Sequence, residues 1–251
     1  MKSILKLSLL TLVLPLAFLT LAVGCGGSDD GAKATATPGL KTSGGQIVIN
    51  TAGPTQEPTP TSAPVVRTGD FASLCQKSSE KQFTAPAQII DPTRKYTATV
   101  RTEKGDFTLE LRPDIAPVTV NSFVFLSCKG FYDGVTFHRV LPDFVAQGGD
   151  PTGTGSGGPG YTIPDEFGSV PFEKGTLGMA KTAAPNSGGS QFYICYDITS
   201  AQQQALNGKY TVFGKVTAGM DVVEKLTPRD PQTNPNAPAG DKILEIVIQE
   251  Q

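Results

Sequence analysis

Histidine occurs once in 251 residues, at His138, and tryptophan not at all. One histidine and four scattered cysteines offer no ligand set of metal-binding spacing, so neither a metal nor a cofactor is expected. Charge is also sparse. Only 18% of residues are charged and the formal net charge is −2; without the first 24 residues, which carry two lysines and no acids, it is −4, from 19 basic and 23 acidic residues. No basic stripe is present, which argues against nucleic acid as a partner. No internal repeat is visible. There is no Gly-x-Ser-x-Gly elbow, so His138, Ser190 and the aspartates do not add up to a hydrolase, and His138 reads as structural. Gly153-Thr154-Gly155-Ser156-Gly157-Gly158 fits Gly-x-Gly-x-x-Gly, but Pro159 follows instead of a helix. It reads as a mobile loop and not as a nucleotide cradle.

One long apolar run is present, Leu7 to Val23, broken only by Ser8, Thr11, Pro15 and Thr20 and preceded by Lys2 and Lys6. This pattern makes residues 1–24 a signal peptide. Its end, Leu21-Ala22-Val23-Gly24-Cys25, resembles a bacterial lipobox, which implies that Cys25 becomes the lipidated first residue of the mature chain. An uncleaved membrane anchor is the alternative, since the run is nearly long enough to span a bilayer. Either reading gives an extracytoplasmic protein tied to the cell envelope. Residues 25–68, rich in Pro, Thr, Gly and Ser, bury too little apolar surface to fold. They read as a disordered tether, reaching roughly 35–40 Å as a coil. Residues 69–94 form an extension ahead of a domain over 95–251.

The patterns become regular from Tyr96. Tyr96–Arg101 and Phe107–Leu111 alternate about Lys104-Gly105-Asp106, a hairpin signal. Pro117 suits the first turn of a helix running to Cys128, with Gly130 beyond its end. Short strands are expected at Thr136–Leu141, Phe144–Gln147, Gly175–Met179, Gln191–Cys195, Thr211–Val216 and Lys242–Ile248, with a short helix at Phe71–Leu74 and another at Met220–Leu226. Many short strands and few helices indicate an antiparallel barrel or sandwich. Alternation within Thr136–Leu141 would put Arg139 and Phe137 on one face, His138 and Val140 on the other.

Phe137-His138-Arg139, followed by Phe144, Gln147-Gly148-Gly149 and Asp150, strongly resembles the signature of the cyclophilins, a family of peptidyl-prolyl isomerases. Gly178-Met179-Ala180, the stretch Pro185 to Ile194, and Leu206-Asn207-Gly208-Lys209-Tyr210-Thr211-Val212-Phe213-Gly214 match in family order, so the resemblance spans Tyr96 to Ile248. It implies a mainly β fold, a closed eight-stranded antiparallel barrel capped by two helices, and an enzyme that speeds X-Pro bond rotation in exported proteins. Its partners would be unfolded or flexible proline-containing polypeptides and, through the lipid, a membrane; the tether suggests a monomer.

The chemistry is undemanding. The barrier to X-Pro rotation, roughly 18–20 kcal/mol, is amide resonance. A donor at the prolyl nitrogen favours the twisted state, and Arg139 is always charged and rich in donors. The resemblance implies Arg139, Gln147 and Phe144 as catalytic residues, with Gln147 on the carbonyl side. It implies Val145, Tyr193 and Leu206, with Phe144, as the proline pocket, Lys181, Thr182 and Ala183 as main-chain contacts, Gln191 as support and Tyr210 as wall. Tyr210 replaces a histidine of many eukaryotic relatives. Ala205 replaces a tryptophan that helps them bind cyclosporin, so cyclosporin inhibition should be weak. A non-catalytic module holding proline segments is the alternative, and it could dispense with Arg139. Cys195 reads as a small buried hydrophobe. Cys75 and Cys128 are either bridged or free thiols, and both readings stand at this stage.

Overall fold

The computed structural model describes residues 69–251. The expected signal peptide, the expected lipidation site Cys25 and the expected tether lie outside the described residues. Among the described residues, no helix is long and apolar enough to cross a membrane.

The chain begins with α1 (Phe71–Leu74), capped by the Asp70 side chain on Ser73 N–H. β1 (Tyr96–Thr102) and β2 (Gly105–Leu111) then pair as an antiparallel hairpin in the register Thr102↔Gly105, and Gly105 takes the positive φ that the turn needs. α2 (Pro117–Cys128) starts at Pro117 as expected, but Ala116 gives it no side-chain cap. The cap comes from elsewhere: the Glu166 carboxylate accepts the N–H groups of Val118 at 3.0 Å and Thr119 at 2.8 Å. Every α2 residue from Thr119 to Cys128 is buried, so α2 is a core helix without a polar face.

β3 (Arg139–Leu141), β4 (Val145–Gly148), β5 (Thr176–Met179) and β6 (Phe192–Cys195) follow, then α3 (Ser200–Leu206), β7 (Val212–Ala218), α4 (Met220–Val223) and β8 (Ile243–Glu250). All pairings are antiparallel, in the order β3-β4-β6-β5-β7-β2-β1-β8. The Phe123 ring of α2 meets Tyr132, Phe192 and Phe213 in the core, with centroids 5.4–5.5 Å apart.

Three expectations need correcting. The sheet is open, not a closed barrel: β3 and β8 are its two edges. Among the described residues, only isolated bridges, Thr136↔Lys242 and Val140↔Arg229, cross on that side. β3 is three residues long, and the segment facing it carries Pro228, Pro231, Pro235 and Pro238, which have no N–H to donate to a ladder. Second, α3 escaped notice, because only Leu206 of it is buried and no apolar stripe betrays it. Third, strand structure begins at Arg139 and not at Thr136. Phe137 and Val140 therefore both enter the core while Arg139 turns outward, so Phe137 and Arg139 share no face. Of the helices, α2 packs against β8 and α4 against β2.

Candidate active site

The β3–β4 pair sets the site. Leu141-Pro142-Asp143-Phe144 closes through Phe144 N–H to the Leu141 carbonyl at 3.1 Å, with Asp143 at a φ of 65°. The resulting register places Arg139 opposite Gln147 and Leu141 opposite Val145. Arg139 and Gln147 thus share the outer face, while Val140 and Ala146 point to the core.

Arg139, Phe144, Val145, Gln147, Tyr193, Leu206 and Tyr210 line one hollow of about 140 Å³, together with Ala180 and Lys181. Its floor is aromatic. Tyr193 stacks on Phe172 at 5.8 Å and meets Tyr210 edge-on at 6.1 Å. Gly178 lies beneath it, where a Cβ would come within 2.5 Å of the Tyr193 ring, so only glycine lets that ring settle. Burial, with the neighbouring Cys195 and Tyr210, pushes the Tyr193 hydroxyl far above the usual phenol range, so it stays protonated. Burial also pushes the Cys195 thiol up to about 12, which makes it inert packing beneath the site. The Arg139 guanidinium lies over the Phe144 ring, 5.9 Å from its centre. Arg139 Nε is buried without a hydrogen-bond partner among the described residues.

A second hollow, of about 410 Å³, adjoins the first through Gln147, Ala180 and Lys181. One wall is the glycine-rich loop Gly155, Ser156, Gly157, Gly158 and Pro159. Gln191 Nε2 donates to the carbonyls of Gly155 at 3.0 Å and Gly157 at 2.9 Å, while its Oε1 accepts from Gln147 Nε2 at 3.0 Å. Asp150 holds the same loop from behind, accepting from Thr152 N–H and hydroxyl and from Gly155 N–H. Burial works to raise the Asp150 carboxyl, but donors from Thr152, Gly157 and Gly155 outweigh it and hold it below the usual range. The glycine loop read as mobile is thus a tied wall.

The expected residues do not all arrive. Thr182 reaches the second hollow only, and Ala183 is exposed and lines neither, whereas Ala180, not singled out from sequence, lines both. Lys181 turns its ammonium toward Asp165 at 3.7 Å and the Thr182 and Ala184 carbonyls, 5.8 Å from the centre of the exposed Phe167 ring. His138 is 1% exposed, and neither ring nitrogen finds a partner. Burial lowers its pKa, the charges of Arg229 and Arg139 add to this, and Asp150 opposes it. No group of three or more histidine, cysteine or acidic side chains fit to hold a metal is found among the described residues.

Of the sequence's remaining choices, the Cys75–Cys128 alternative resolves to a bridge between α1's end and α2.

The model of one protein family, the cyclophilin type peptidyl-prolyl cis-trans isomerase/CLD family, matches residues 97–248. A peptidyl-prolyl cis-trans isomerase of Synechococcus elongatus is 52% identical over 153 residues, covering 60% of this chain and 94% of the relative. A crystal structure of a Cryptosporidium parvum cyclophilin type isomerase superposes with a TM-score of 0.56 at 34% identity, over 62% of this chain and 99% of that one. The same parasite isomerase, solved in the presence of the dipeptide Ala-Pro, gives a TM-score of 0.52 at 33% identity, over 62% of this chain and 99% of that one.

Proposed function

We propose a role in the folding of exported proteins from one premise: this chain belongs to the cyclophilin-type peptidyl-prolyl cis-trans isomerases. It is an enzyme that accelerates rotation about X-Pro bonds. What remains to be assigned is which residues do this, and where.

The observation that carries the site assignment is the hollow that joins Arg139 and Gln147 to Phe144, Val145, Tyr193, Leu206 and Tyr210. In this reading the prolyl ring enters between Phe144, Tyr193 and Leu206. A ring so held cannot follow the rotation, so the segment before the bond turns against it. The guanidinium donates to the prolyl nitrogen as its lone pair leaves resonance, an interaction absent from the planar ground state. A barrier lowered by roughly 5.5 kcal/mol would give about 10⁴-fold acceleration. No proton is transferred. Gln147, oriented by Gln191, faces the carbonyl side, with main-chain groups near Ala180, Lys181 and Thr182 beside it. Binding of proline-containing polypeptides accords with the Ala-Pro crystals of the parasite relative.

The place of action rests on the leader. Lys2, Lys6, the apolar run and Gly24-Cys25 support lipidation at Cys25, and residues 25–68 would let the domain reach chains emerging from a membrane. Such a lipoprotein works outside the cytoplasm as a monomer. Two experiments test this. An X-Pro isomerisation assay of the full chain beside Arg139→Ala tests the site; equal rates remove Arg139 from it. Labelling of cells with a fatty acid tests the anchor; label retained in Cys25→Ser refutes it.

A further inference from the structure

Residues 69–94 precede the 97–248 stretch that the family shares, yet they touch the glycine wall. That wall has few side chains to hold it. From within the site Gln191 fastens the Gly155 and Gly157 carbonyls. The next two carbonyls are fastened from outside: Gln82 Nε2 donates to Gly158 at 3.0 Å, and Phe83 N–H donates to Pro159 at 2.7 Å. The approach is so close that a Cβ on Gly160, whose φ is +95°, would come within 2.7 Å of the Phe83 carbonyl.

The extension is itself fixed on both sides of this contact. Upstream, Cys75 is bonded to Cys128, Ser78 N–H donates to the Lys129 carbonyl, and Lys81 Nζ donates to the carbonyls of Gly130 and Phe131. Downstream, Asn121 of α2 accepts from Ile89 and Ile90 N–H and donates to the Ala87 carbonyl. Phe83 also packs edge-on against Phe125, with centroids 5.2 Å apart. A shallow hollow of about 600 Å³ runs along the outside of the wall, from Gln82 past Pro159 to Tyr161 and Thr162.

We propose that the extension positions the glycine wall, with Gln82 as the positioning residue, and so sets the affinity for polypeptides long enough to cross that wall. The proposal rests on the isomerase site assigned above. A short X-Pro peptide needs only the Arg139 hollow and does not feel the extension. A long one lies on the wall, whose Gly158 and Pro159 carbonyls keep their places only while donors outside the family domain hold them.

The test uses the full chain and two substrates with the same central X-Pro bond, one short and one extended. Gln82→Glu keeps the side chain's shape but sets an acceptor against the Gly158 carbonyl. The extended peptide's KM should rise about threefold, the effect of one hydrogen bond, with its kcat and the short-peptide rate unchanged. Gln82→Lys, which restores a donor, should return KM toward wild type. Cys75→Ser with Cys128→Ser, which frees the upstream anchor, should give the same split. An unchanged extended-peptide KM in Gln82→Glu, or an equal change for both peptides, overturns the proposal. Wild-type failure on the short peptide removes the isomerase site itself, and the proposal with it.

Discussion

Two hollows meet at Gln147, and they are made of different material. Around Arg139 the lining is side chains, held by packing: Tyr193 lies between Phe172 and Tyr210, over a Gly178 that leaves it room. Beyond Gln191 one wall is the glycine-rich loop from Gly155 to Pro159, held by hydrogen bonds with Gln191, Asp150, Gln82 and Phe83. Packing fixes a shape through many weak contacts, so one altered neighbour is absorbed or resisted as a whole. A glycine wall has few such contacts, and each lost donor frees a particular carbonyl. In the proposed reading the first hollow takes one ring and the second the extended chain beside it.

The comparison can be broken at several points, and the largest effect falls on the side-chain hollow. Arg139→Ala should lower kcat/KM on an X-Pro peptide by about 10²–10³-fold, the scale of losing a donor aimed at the transition state. Its unfolding midpoint should hold steady, because the buried Nε it removes has no partner to strand. A drop shared equally by stability and rate would mean that Arg139 merely supports the fold.

Gly178→Ala comes next. Its Cβ would meet Tyr193 at 2.5 Å and Phe172 at 2.7 Å, and such overpacking costs about 1–3 kcal/mol. Both stability and short-peptide turnover should fall, as denaturant titration and the isomerisation assay would register. Gln191→Leu attacks the wall instead. Losing the bonds to Gly155 and Gly157 should raise KM by up to about tenfold, at roughly 0.7 kcal/mol for each of the two, and freeing Gln147 should lower kcat by less than Arg139→Ala does. A kcat loss as large as that of Arg139→Ala would show that the two hollows are not separable.

The smallest effect is pH-dependent. His138 sits behind the glycine wall and beside Arg139, and burial lowers its pKa. The folded state therefore takes up a proton less readily than the unfolded one. The stability this confers is full above the unfolded value near 6.5 and declines as pH falls through the lowered folded value. Urea midpoints should decrease below about pH 6.5 in wild type. In His138→Gln that upper limb should vanish, leaving only the later fall as Asp150, whose own pKa lies below the usual range, takes up its proton.

Much of this was legible in the chain. Pro117 and Gly130 bracket α2, and alternation about Gly105 marks the first hairpin. Phe144, Gln147, Tyr193, Leu206 and Tyr210 do gather about Arg139. What escaped has a common cause. α3 carries its signal in the box Thr199-x-x-Gln202, where each side chain caps the other's backbone, but only Leu206 marks a buried face. Ala183, implied by the resemblance, lies exposed and lines neither hollow.

By itself the sequence determined the local elements and the residues that one strand pair brings together, because turn chemistry and two-residue periodicity act over a few positions. Only the tertiary structure decided that Glu166 caps α2, that the sheet stays open between β3 and β8, and that Gln82 and Phe83 hold the glycine wall. Each of these joins groups far apart in the chain, and a donor's choice of distant acceptor is written in no local pattern. It follows from where packing leaves an unpaired carbonyl or N–H that must be satisfied.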